Sequence, residues 1–149
     1  PGDFNGDGKA DVVARDGNGG LWLYPGNGSG GWLTAKQIGW GWGGMTAIDG
    51  PGDFDGDGKA DILARTSSGG LMLYPGNGAG GWLAAKQIGW GWGGMTAIEG
   101  PGDFDGNGQM DVLSRTSGGA LMLYPGNGSG GFLAARQVGS GWNAMSIIL

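Results

Sequence analysis

Three nine-residue stretches place oxygen-bearing side chains at one fixed spacing. The first carries Asp3, Asn5, Asp7 and Asp11, the second Asp53, Asp55, Asp57 and Asp61, and the third Asp103, Asp105, Asn107 and Asp111. Oxygens at the first, third, fifth and ninth places, with glycine at the sixth, suit a hard cation such as calcium, which is held by carboxylates and carbonyls in a curled loop. Gly8, Gly58 and Gly108 can take the positive φ that such a curl demands. Lys9, Lys59 and Gln109, at the seventh place, are expected to contribute only a backbone carbonyl. Ala14, Ala64 and Ser114 stand at the twelfth place, where a longer loop would need a bidentate glutamate. The loop is therefore a short one, closed by the ninth-place aspartate. Asp-Gly and Asn-Gly pairs also make ordinary tight turns, and one copy alone would leave the two readings balanced. Acidic side chains at alternate places plus a further aspartate, three times at one spacing, point to up to three calcium ions per chain.

The charge distribution agrees. Ten of the thirteen acidic residues lie in these loops, leaving Asp16, Asp49 and Glu99 outside. Carboxylates crowded without a basic neighbour in the loop repel one another unless a cation sits between them. Three divalent ions would more than cancel the formal charge of −5, so the acidity counts ion ligands and does not call for a basic partner.

A second candidate site is aromatic. The stretches Gly39–Gly44 and Gly89–Gly94 set Trp40, Trp42, Trp90 and Trp92 among glycines, while in the third copy Ser140 and Asn143 leave only Trp142. An indole presents a flat apolar face to the C–H face of a sugar ring, and these five tryptophans are candidate glycan contacts. Trp42, Trp92 and Trp142, present in every copy, also suit packing; Trp40 and Trp90, absent from the third, are the better ligand residues. Trp32, Trp82 and Phe132 read as packing residues ahead of an outer strand. Arg15, Arg65 and Arg115 read as structural, paired with loop carboxylates or stacked on Tyr24, Tyr74 and Tyr124. Catalysis has little to stand on: with no histidine or cysteine, ordinary triads and thiol nucleophiles are excluded, and the three remaining acids form no repeated pair. The reading is of a protein that is not an enzyme. Eight basic residues spread through an acidic chain form no patch for nucleic acid, and no apolar window is long enough for membrane insertion.

What must position these groups is a repeat of fifty residues that runs from end to end. Residues 1–50 and 51–100 differ at ten aligned positions, among them Asn5/Asp55, Asp16/Thr66 and Trp22/Met72. No linker or change of composition interrupts residues 1–149, which read as one repeat domain (1–50, 51–100, 101–149). The forty glycines follow no collagen period, and the nonapeptides are not in tandem as a calcium-binding β-roll requires. Each unit shows four short strands between strong turn signals: Met95–Glu99 before the third loop, Asp61–Thr66 after the second, then Leu71–Pro75 and Ala84–Gly89. Bulky residues on both faces of these strands suit sheets stacked face to face. Four strands in about fifty residues, repeated, describe a β-propeller blade of an all-β fold. A β-trefoil is the alternative with three similar units, but its aromatic hallmark is missing.

The loop ahead of an apolar strand, followed by Leu-Met-Leu-Tyr-Pro-Gly-Asn-Gly, resembles the FG-GAP/VCBS repeats of integrin α-chain propellers and of many secreted bacterial proteins, including actinobacterial ones. The resemblance covers the whole chain. It implies four-stranded antiparallel blades, a structural calcium site between the first two strands of each, and a secreted, extracellular protein; the third copy departs from the pattern at Asn107, Gln109 and Met110. No secretory leader precedes Pro1, as expected of a mature chain or a fragment. Three blades do not close a propeller, and the frame is offset: Met145–Leu149 repeats the strand that precedes each loop, whereas the first blade lacks that strand. The expected solution is a homodimer in which each chain donates its last strand to the other's first blade, giving a six-bladed ring; a piece of a longer propeller is the alternative. The functional expectation is a calcium-binding recognition module for glycans, with a structural or extracellular protein-adhesion module as the competing class.

Overall fold

Short apolar runs bounded by glycine turns become strands because neither helical periodicity nor helix length is available to them. In the computed structural model, which describes residues 1–148, they form three antiparallel sheets. The first contains β1 (Val12–Arg15), β2 (Leu21–Tyr24) and β3 (Lys36–Gly39). The second is β4 (Met45–Gly52), β5 (Asp61–Thr66), β6 (Leu71–Tyr74) and β7 (Lys86–Gly89), and the third is β8 (Met95–Gly102), β9 (Asp111–Thr116), β10 (Leu121–Tyr124) and β11 (Arg136–Gly139), each paired in chain order. These are propeller blades. Strands β4 and β8 run side by side, so the first strand of each full blade lies innermost. The three separate sheets exclude the trefoil.

Three boundaries differ from expectation, the smallest difference being β6, which ends at Tyr74 rather than Pro75. The outer strand begins at Lys86 rather than Ala84, because residues 75–85 are held as a long hairpin by the Gly76–Trp82 bridge and by the Asn77 side chain, whose Oδ1 accepts the amides of Ala79 and Gly81 at 2.8 and 3.0 Å. The inner strand runs on past Glu99 to Gly102, through a register irregularity that turns the chain into the loop. The first blade has three strands, and only a bridge between Gly2 and Asp11 marks the place that β4 and β8 occupy in the others, where Gly52 pairs with Asp61 and Gly102 with Asp111. Met145–Leu149 was expected to be a strand. Residues 145–148 form none, since backbone groups become a strand only against a partner edge; Leu149 lies outside the described residues.

The core lies between blades. Phe4, Leu21, Leu23 and Trp42 of the first repeat pack on Ile62 and Ala64 of the second, and Phe54, Leu71, Leu73 and Trp92 repeat the arrangement against Val112 of the third. Burial of each such leucine or phenylalanine contributes about 1.5–3 kcal/mol. Val12, which corresponds to Ile62 (1% exposed) and Val112 (0%), is 44% exposed, because no blade covers that face of the first sheet.

Candidate metal loops and aromatic clefts

Each loop is organised by its own carboxylates. In the second, Asp53 accepts the amides of Gly56 and Gly58 at 2.8 and 2.9 Å, and Gly58 holds φ +85°, which a side chain would resist. Asp61, fully buried at the start of β5, accepts three amides: Phe54 (2.8 Å) and Asp55 (3.1 Å) on Oδ2, and Gly76 (2.8 Å) on Oδ1. Asp11 and Asp111 repeat this pattern with Phe4, Asn5 and Gly26 and with Phe104, Asp105 and Gly126. The carboxylates of Asp53, Asp55 and Asp61 converge within 4.8 Å of one another, as do those of Asp103, Asp105 and Asp111. In the first loop Asp3 accepts the amides of Gly6, Asp7 and Gly8, and the Asn5 carboxamide takes the third place.

The fifth place departs from expectation. Asp57 stands outside the converging group, its Oδ2 drawn 2.7 Å from Lys59 Nζ, and Lys9 lies 3.8 Å from Asp7. The loops thus do contain a basic neighbour, on a side chain long enough to fold back over its own turn. The hydrogen bond to Lys59 holds the Asp57 carboxyl below the usual aspartate range and raises the Lys59 ammonium. In the third loop Gln109 removes this competitor. The seventh residues Lys9, Lys59 and Gln109 donate their amides to Asp7, Asp57 and Asn107.

Two features test whether a divalent ion fits. Asp105 Oδ1 is buried with no hydrogen-bond partner among the described residues, although Arg136 reaches its Oδ2 at 3.3 Å. Burial also holds the Asp61 carboxyl above the ordinary range in spite of three amide donors. Among the described residues Asp61 has no cation beside it and Asp105 Oδ1 has no donor, two lacks that a bound cation would make good, and every side-chain ligand atom in the group is an oxygen, which suits calcium.

The tryptophans sit at the opposite end of the sheets. Strand β4 runs into its loop and β7 runs away from it, so Trp40 and Trp90, which follow the outer strands, emerge far from the ions. Gly41 and Gly91, at φ +74° and +75°, start a 3-10 turn that drives the next tryptophan inward. Trp42 and Trp92 are 4% exposed and Trp40 and Trp90 are 75% exposed, while Trp142 is half-buried on the open face of the third blade. Trp42 and Trp92 are therefore corrected from stacking faces to packing residues that form the cleft floor, since a buried ring offers no face to a ligand. Between the first two blades lies a cleft of about 350 Å³ lined by Ile38, Trp40, Trp42, Met45, Tyr74 and Trp82. Trp42 packs on Tyr74 at 4.5 Å and on Trp82 at 5.2 Å between ring centroids. The next interface repeats this with Trp92, Tyr124 and Phe132 at 4.5 and 5.8 Å. Tyr74 and Trp82 were not expected in this site; the signal for them is that they belong to the following repeat and meet Trp42 only across blades.

The arginines support this end. They neither pair with loop carboxylates nor stack on tyrosines: Arg15, Arg65 and Arg115 donate to the carbonyls of Trp42 (3.0 Å), Trp92 (3.1 Å) and Trp142 (3.2 Å), and also to those of Met45, Met95 and Met145. One nitrogen of each guanidinium, Nη1, thus bridges two carbonyls and fixes the glycine-rich turn to the blade before it.

The profile of the FG-GAP-like repeat family matches residues 3–64 and 53–114. Among solved structures, the fold is similar to an Agrocybe aegerita lectin described as recognising non-reducing terminal N-acetylglucosamine, with a TM-score of 0.65 and 21% identity over 95% of this chain. It is also similar to the BP39L lectin from Burkholderia pseudomallei, with a TM-score of 0.63 and 20% identity over 93% of this chain. The chain spans 37% and 39% of the lengths of these two proteins. No curated protein matches at the level of sequence.

Proposed function

Because the chain belongs to the FG-GAP-like repeat family, we propose that it is a calcium-binding β-propeller recognition module that takes glycans in the clefts between its blades. The observation that carries this reading is the cleft beside Trp40: three quarters of that indole is in water, over a floor made by Trp42, Tyr74 and Trp82. A pyranose can lay its C–H face on such a ring while hydroxyls meet the Tyr74 phenol and nearby backbone carbonyls. The Agrocybe lectin supports the class of ligand and makes terminal N-acetylglucosamine the first sugar to try. Asp53, Asp55 and Asp61, and Asp103, Asp105 and Asp111, would hold calcium, with the first loop served by Asp3, Asn5 and Asp11. The bound ion would neutralise these carboxylates and tie each loop to the start of its next strand.

The place of action is extracellular, where calcium reaches the concentrations that modules of modest affinity require. The module acts by binding and not by catalysis. Two chains close the ring, each supplying Met145–Leu149 as the innermost strand of the other's first blade; the three-stranded first sheet, with its Gly2–Asp11 bridge, supports this. A protein-adhesion role is favoured by a different observation: Leu33, Leu83 and Leu133 stand 50%, 54% and 55% exposed at the same place in each repeat, where the fold has no use for them.

A glycan array read with calcium and with chelator tests the first reading, followed by titration of the best sugar against tryptophan fluorescence. Quenching that disappears in Trp40→Ala and Trp90→Ala, with unchanged circular dichroism, is the expected result. Silence across a broad panel by calcium-loaded protein would leave the adhesion reading standing.

A further inference from the structure

Where one blade meets the next, a loop and a hairpin interlock. The Phe4 ring, 1% exposed, lies 3.7 Å from the point where a side chain at Gly76 would begin, and the Gly80 amide donates to the Phe4 carbonyl at 3.2 Å. Gly6 approaches so closely that a Cβ there would stand 2.5 Å from the Gly78 carbonyl oxygen. The following interface repeats the fit: Phe54 is 1% exposed, 3.5 Å from the Cβ position of Gly126, and Gly56 sits at the same 2.5 Å from the Gly128 carbonyl. The hairpins of the second and third blades are sockets built of glycine, and the phenylalanine loop of the preceding blade fills each.

The first blade has the same socket with nothing in it. Ala10, Gly26, Gly28, Gly30, Gly31 and Trp32 line a groove of about 330 Å³, and Trp32 is 60% exposed. A Cβ at Gly30 would meet nothing within 4 Å, whereas at Gly80 it would meet Leu23 at 2.8 Å and Asn5 at 3.6 Å. The third loop is the converse. Phe104 is 53% exposed, and a Cβ at Gly106 would touch nothing.

We infer that a second copy of this chain docks head to tail, with its Phe104 loop inserted into the Gly26–Trp32 groove of the first blade. The inference rests on the reading that two chains close the ring, and adds the contact that holds them. The occupant follows from the chain itself, which carries one empty socket and one unused loop of the kind that its two internal interfaces already join. Continuity with those interfaces supplies the detail: the Gly30 amide would donate to the Phe104 carbonyl as the Gly80 amide donates to that of Phe4. Each copy gives one loop and receives one, so the pair can close on itself.

Sedimentation velocity of the 149-residue chain in calcium, at micromolar concentrations, reads the assembly. A dimer or larger ring is expected, and Phe104→Asp should raise its dissociation constant on the order of 100-fold, as loss of a central aromatic anchor does. Because Phe104 is exposed in the single chain, the variant should keep its circular dichroism. A second measurement fixes position. Asp55 and Asn5 hold Cβ atoms 3.2 and 3.6 Å from the Cβ positions of Gly130 and Gly80, near disulfide reach. Mixing Asp105→Cys with Gly30→Cys chains, in a protein otherwise free of cysteine, should give a cross-linked pair on oxidation. A monomer would overturn both this proposal and closure by a second copy. An oligomer that ignores Phe104→Asp and gives no cross-link would overturn the docked loop alone and leave strand donation in place.

Discussion

The two ends of the blades are built on opposite terms. At the loop end, Asp11, Asp61 and Asp111 are 5%, 0% and 0% exposed and each accepts three backbone amides. Only a short side chain with two acceptor oxygens can meet three converging amides, so all three repeats keep aspartate there. At the other end Trp40 and Trp90 stand in water, with Ser140 at the corresponding place. An exposed ring satisfies no buried donor, and its replacement leaves the blade intact. The buried aspartates are thus held in every repeat by the amides they satisfy, whereas the exposed tryptophans can change from one repeat to the next without loss of the blade.

The most severe test strikes the loop end. Asp61→Ala strands three buried amides and removes a proposed calcium ligand, and should cost about 3–5 kcal/mol, most of the stability of a small domain. Denaturant unfolding in calcium measures it; a midpoint equal to that of the parent would break the contrast between the ends. Next in size is a pair at the tryptophan end. Trp42→Ala should cost about 3–5 kcal/mol by opening a cavity between blades, whereas Trp40→Ala should fall within about 0.5 kcal/mol of the parent. Equal losses would show that exposure does not separate the two roles.

A smaller effect comes from between the ends, on the inner strands. Asp49 Oδ2 is buried without a hydrogen-bond partner among the described residues, and burial pushes this carboxyl above its ordinary range; Glu99 is raised in the same direction by burial and then by the charge of Asp49. A carboxyl raised in the folded chain holds its proton more tightly there. Its stabilising contribution is therefore present in acid and is lost as pH climbs from the ordinary aspartate range through the raised value. Asp49→Asn should gain about 1 kcal/mol at pH 7 and nothing near pH 3, checked by comparing melting curves of variant and parent at each pH under identical calcium. Smallest is Lys59→Gln, which frees Asp57 for the ion and should tighten calcium at the second loop by about threefold, without change in unfolding when calcium is absent. Calorimetry that finds weaker binding would mean that Lys59 positions Asp57 and does not compete with the ion.

Much of this protein was legible in its residues. The alternating acids, the glycine turns and the strict repeat of fifty led to blades, loops and strand order, because these depend on local spacing. The β5 strand falls at Asp61–Thr66 as expected. Trp40 and Trp90 could be told from Trp42 and Trp92 by comparing repeats, since a residue that one copy drops does no common packing. What depended on which side chains meet in space was not legible. The arginines reach carbonyls 27 and 30 residues further on, Tyr74 and Trp82 join a cleft that the preceding repeat begins, and Lys59 takes Asp57 away from its neighbours. Asp16 and Trp22 were visible only as two places where repeats differ; in the fold the Trp22 indole donates to Asp16 at 2.8 Å and holds that carboxyl below its usual range. Periodicity carries local geometry from one repeat to the next, but partners are chosen by how successive blades stack, and that is decided only in three dimensions.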